Sequence, residues 1–106
     1  MKLSTTAEIA GFHVTETLGI ATGNVVRSKH IGRDIMAGLK TIIGGEIVGY
    51  TEMLTEARQV AIDRMLDNAK AQGADAVINV RFTTSAIMQG MSEMLAYGTA
   101  VKLVRA

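Results

Sequence analysis

From Phe12 to Arg27 apolar and polar residues alternate. Phe12, Val14, Leu18 and Ile20 hold even positions, and His13, Thr15 and Thr17 lie opposite. A period of two sends successive side chains to opposite faces, so this stretch predicts a long strand. Glu16 interrupts its apolar face, and Gly19 and Gly23 are candidates for bends or bulges. A short strand over residues 2–6 precedes it, with Ala10-Gly11 as the turn. The period then lengthens. Ile31, Ile35, Leu39 and Ile42 recur at helical spacing, predicting a helix over residues 30–43 with the Ser28 hydroxyl as N-cap. Gly44-Gly45 ends that helix. Ile47, Tyr50, Leu54, Ala57, Ala61, Met65 and Ala69 make a second, longer stripe. It predicts a helix over residues 46–72, with Gly73 placed to close it in the left-handed conformation.

Alternation returns at Ala76, Ile78, Val80 and Phe82, with Val77, Asn79, Arg81 and Thr83 opposite. After a loop at 87–92 it resumes over 94–104, where Leu95, Tyr97, Val101 and Leu103 share a face. So short a connection makes these two strands an antiparallel hairpin. Strand, helices, hairpin is an α+β order: one antiparallel sheet packed on the long helix. With 106 residues and no linker, repeat or low-complexity stretch, residues 1–106 form a single domain.

Composition adds one expectation and removes several. Hydrophobic residues are 48% of the chain and mean hydropathy is +0.25. A domain this small cannot hide that much apolar surface, so a homo-oligomer is expected. Eleven Lys and Arg nearly balance ten Asp and Glu. That balance argues against a nucleic-acid module and against an electrostatically held membrane protein. No apolar run approaches the ~20 residues of a membrane span. The N-terminus lacks the apolar core of a signal peptide, and there is no cysteine for a disulfide or thiolate site. A cytoplasmic protein is expected.

Four separated motifs stand out. They are Gly23-x-Val25-Val26 with Asp34; Gly44-Gly45-Glu46-x-x-x-Tyr50-Thr51-x-x-Leu54-x-x-Ala57-Arg58; Gly73-Ala74-Asp75-Ala76-Val77-Ile78 with Arg81-Phe82; and Ala96-Tyr97-Gly98-Thr99-Ala100-Val101. In this order, and across essentially the whole chain, they resemble the signature of the YbjQ family. The resemblance implies antiparallel strands wrapped around a helix, as in dodecin subunits, and a ring-shaped homo-oligomer of five copies. It also implies heavy-metal binding, with no agreed ligand set.

Candidate chemistry is sparse. His30 and Asp34 are four residues apart on one predicted helix turn and could converge on an ion. Glu46 would add an oxygen if the chain folds back. One imidazole with two carboxylates suits Zn, Mn or Fe better than a soft metal. The plain alternative pairs Asp34 with Arg33, Arg58 or a helix terminus and leaves His30 solvated. His13 is a lone imidazole on the mixed face of a strand. Met88, Met91 and Met94 recur every three residues and could offer thioethers to Cu(I), but flexible methionines more often fill gaps at a subunit contact.

Glu46, Tyr50 and Arg58, at helical offsets, could line a polar pocket for a small ligand; the structural alternative is a network bridging Arg58 to Glu46. Gly44-Gly45 offers amides to an anion, but Glu46 would compete for them. No nucleophile with its base is present, so a binding or assembly protein is expected rather than an enzyme.

Overall fold

The computed structural model describes residues 1–28, 42–43, 46–88 and 91–106. Strand β1 is Lys2–Leu3 and β2 is Phe12–Ser28. Two short strands, β3 (Ile42–Ile43) and β4 (Glu46–Ile47), pair antiparallel with each other. Helix α1, Val48–Ala71, follows directly. Strands β5 (Ala76–Met88) and β6 (Met91–Arg105) complete the order. One helix packs on one face of a four-stranded sheet ordered β1-β5-β6-β2.

The sheet is mixed, which corrects the all-antiparallel expectation. β5 and β2 each flank β6 antiparallel, whereas β1 runs parallel to β5. A parallel pair needs a long crossover, and the chain between β1 and β5, which includes α1, supplies one. Ladder bonds continue past β1. The Ser4 amide donates to the Val77 carbonyl, Val80 N–H to Ser4 and Asn79 N–H to Thr6, each at about 3 Å. The strand itself ends at Leu3, short of the expected reach to residue 6, and these bonds continue its contact with β5 without strand geometry.

The helix expected over 30–43 lies mostly outside the described residues. Its end is corrected, because Ile42–Ile43 is strand β3. The β-branched Ile42, Ile43 and Ile47 around Gly-Gly favour strand pairing over a helix end. The second helix begins at Val48 rather than 46, since Glu46–Ile47 is taken by β4. Its far end matches. The Gly73 amide donates to Lys70 and the Ala74 amide to Ala69, with Gly73 at φ +82°, which is a Schellman cap. Asp75 then fixes the exit: its N–H donates to the Val101 carbonyl, and its carboxylate accepts from the Leu103 amide at 2.9 Å.

The core is built of small residues. Ala57, Ala61, Met65 and Ala69, one turn apart on α1, are fully or almost fully buried against Ala21, Val25, Val77, Val80, Met94, Ala96 and Ala100. Helix and sheet nearly touch at Gly23, where a Cβ would fall on the backbone of Ala61 and Met65. Larger side chains on the opposing positions would hold the two layers apart, so alanine on one side calls for alanine or glycine on the other. On the opposite face of the sheet Ala76, Ile78 and Val101 form a second cluster, covered by Ile9 of the N-terminal loop and by Leu103. Lys2 of β1 reaches the Phe12 ring, its Nζ 5.0 Å from the centroid.

Bulges interrupt β2 and β5. β2 shifts register between Val14 and Glu16 and again between Thr17 and Gly19. The two shifts cancel in parity, so Phe12, Val14 and Ile20 share the face away from the helix, Ala21, Gly23 and Val25 face it, and Ile20 is 73% exposed. β5 shifts between Ile78 and Arg81, around Asn79 at φ +52°. Asparagine tolerates that conformation better than most residues. Ala76 and Ile78 consequently face away from α1, and Val80 faces it. β6 keeps one phase: Leu95, Tyr97, Val101 and Leu103 do share a face. The helix rests on the other one, on Met94, Ala96 and Ala100.

Candidate functional site

His30 and Asp34 lie outside the described residues. Glu46 is in β4 with Ile43 as its register partner. Because α1 starts at Val48, Glu46 does not share a helix face with the other two candidates by periodicity, and the offset argument holds for Tyr50 and Arg58 alone. Arg58 is exposed, and its Nη2 donates to Thr55 Oγ1 one turn back at 3.3 Å. A local, solvated contact of this kind orients the guanidinium weakly.

The three methionines do not converge. Met94 is buried on the helix side, and a three-residue step along a strand turns Met91 to the other face. Met88 and Met91 are register partners, and Met88 is 63% exposed. They remain a thioether pair at the end of the β5–β6 hairpin. His13 is exposed, as expected of a lone imidazole. It lines an open concavity of about 830 Å³ formed by residues 6–14 and Ala106, where Glu8 is the other titratable side chain. Among the described residues no three His, Cys, Asp or Glu side chains gather at one point.

One polar group was missed by sequence reasoning. Arg27 is half-buried beside Val25, and its Nε is buried with no hydrogen-bond partner. Leaving such a donor unpaired costs about 1–3 kcal/mol. No sequence signal marks it, since Arg27 reads as the polar end of a strand.

Several motif residues prove to be structural. Arg81 Nη1 donates to the Thr5 carbonyl at 2.7 Å and to Val80 at 2.9 Å, tying down the N-terminal loop. Gly73 and Asp75 cap α1 and aim β5. Ala96, Ala100 and Val101 are fully buried.

Comparison with known proteins agrees with this whole-chain pattern. Residues 1–104 match the model of the YbjQ family, described as "Putative heavy-metal-binding". A UPF0145 protein of Photobacterium profundum is 72% identical over 93% of this chain and 96% of its own length. One from Psychromonas ingrahamii is 66% identical (97% and 98% covered), and one from Thermotoga maritima 59% (97% of each). Among solved structures, a protein of unknown function of the DUF74 family from Pediococcus pentosaceus superposes with a TM-score of 0.64 over 98% of both chains. At 15% identity, that likeness concerns the fold alone. No described helix is long and apolar enough to cross a membrane. The motifs, the fold and the full-length match together place this chain in the YbjQ family of UPF0145 proteins.

Proposed function

We propose that this protein is a cytoplasmic homo-oligomer, a dodecin-like ring of five copies, that binds a divalent or heavy metal ion through His30, Asp34 and Glu46. The family description supports the metal. Glu46 is the observation that carries the site. It sits in β4, directly before α1, with Ile43 of β3 as its register partner. An imidazole and two carboxylates form a donor set for a borderline or hard cation, and the chain has no thiolate. Splitting Met91 from Met94 weakens the soft-metal alternative.

Native mass spectrometry with elemental analysis tests this. A five-copy mass with metal at a whole-number ratio is expected. His30→Ala with Asp34→Ala should lose the metal and keep the mass. Undiminished uptake by the double variant removes those residues from the site.

A second reading has one observation in its favour. Arg58 stands exposed two turns beyond Tyr50 on α1. A carboxylate or phosphate ligand could be held there, with Glu46 at the rim and no metal. Thermal stabilisation by such a compound would support it, and flat melting curves across a broad metabolite panel would reject it.

A further inference from the structure

The two long edges of the sheet are finished differently. On the outer edge of β2, the Thr22 amide donates to Asn68 Oδ1 at 3.1 Å. The Ile20 carbonyl accepts from Gln72 Nε2 at 3.0 Å, and the Asn24 carbonyl from Arg64 Nη1 at 2.7 Å. Residues 64, 68 and 72 of α1, each one turn apart, occupy the positions a neighbouring strand would use. At the other edge, β1 and residues 4–6 cover β5 as far as Val80. Beyond that the cover stops. Every residue from Arg81 to Met88 is exposed, and among the described residues no strand pairs with that side of β5.

Register gives the direction of the free groups. Along a strand the amides and carbonyls point alternately to the two neighbours. Thr22 points away from β6, so Ala21, Gly23 and Val25 bond to Gly98, Ala96 and Met94. Tyr97, Leu95 and Glu93 then face β5 and bond to Arg81, Thr83 and Ser85. Phe82, Thr84 and Ala86 are left with their amides and carbonyls pointing outward. Residues 82–88 carry no charge and no proline, the usual guards of an exposed edge, and the one register irregularity lies past Ala86. By the same parity Val26 and Ser28 point outward from β2, beyond the last helix side chain, Arg64. Among the described residues, the three-stranded arm of β5, β6 and β2 thus has an open edge on each side.

We propose that the Phe82–Ala86 edge of one copy pairs with the Val26–Ser28 edge of a second copy. This rests on the homo-oligomeric reading above and adds which strands meet. The two edges are different surfaces on opposite sides of one arm, so the contact is head-to-tail, each copy giving one edge and receiving one. Such contacts close into a ring when the rotation permits, and a closed sheet has no free edge left.

Thr84→Pro tests it. Proline at an outward edge position removes that one donor and leaves the bonds to β6 in place. Native mass spectrometry should show multi-copy wild type and single-chain Thr84→Pro at the same concentration, with unchanged circular dichroism. A variant that keeps the wild-type mass overturns the inference while leaving the assembly reading intact, whereas single-chain wild type overturns both. Should Thr84→Pro fail to fold, Ala86→Lys carries the same two outcomes. A photo-crosslinking residue in place of Thr84 should capture the peptide bearing Val26–Ser28 of another, isotopically distinct copy. Capture confined to other segments overturns the pairing.

Discussion

At Gly23 the sheet is sealed on one face by a helix lying on its backbone, and nearby its other face is closed over by Ile9. A few residues along, the same strands leave their cover: all of Arg81–Met88 is exposed. The base is made of alanine, glycine and valine brought to close contact. The arm keeps phenylalanine, isoleucine and methionine in solvent. Hydrophobicity is therefore not the variable that divides core from surface in this chain. Small residues, with Met65 and Met94 among them, fill the contact between helix and sheet, and among the described residues nothing packs over Phe82, Ile87 and Met88.

This contrast can be broken in order of expected effect. Gly23→Val drives a branched side chain into the Ala61–Met65 backbone, so the helix cannot seat. A loss of about 3 kcal/mol or more is expected by urea unfolding, with failure to express as the extreme. Met65→Ala empties a fully buried site and should cost about 2–5 kcal/mol in the same assay. Asp75→Ala removes the acceptor for the Leu103 amide and the tie between helix exit and last strand, at about 1–2 kcal/mol. Gln72→Ala uncaps the Ile20 carbonyl, an exposed contact worth about 0.5–1 kcal/mol, and frees part of the β2 edge. Ile87→Ser, in the arm, should leave single-copy unfolding within about 0.5 kcal/mol. A loss at Ile87 comparable to that at Met65 would show that the arm is packed within its own copy, and the contrast would collapse.

Much of the base was legible in the sequence. The stripe at 57, 61, 65 and 69 and the stop at Gly73 are local signals, set by helical period and by glycine's tolerance of positive φ. The strand faces were less legible because parity is cumulative. The bulge at Asn79 reverses the inside–outside assignments beyond it, the two in β2 invert only the residues between them, and a bulge is fixed by pairing with a distant strand. β1 was visible as a strand, but its parallel direction depends on the crossover it serves. The candidate site was least legible. Arg58 could be placed on the helix, whereas Glu46 was assigned to it and belongs to a strand instead. Arg27, whose buried Nε has no partner among the described residues, reads in the sequence as the polar end of a strand. The motifs carrying the family resemblance, where described, hold the fold: Gly73, Asp75 and Arg81 fix turns and loops.

The strand order has a consequence in time. β6 lies between β5 and β2, so Phe12, early in the chain, finds its register partner only at Arg105. At roughly 5–20 residues per second of synthesis, β2 waits about five to twenty seconds for its neighbour. Through that interval its stretch from Thr17 to Val26, without a single charge, is an uncommitted strand. The N-terminal half of this protein therefore needs shelter on the ribosome more than the finished fold does.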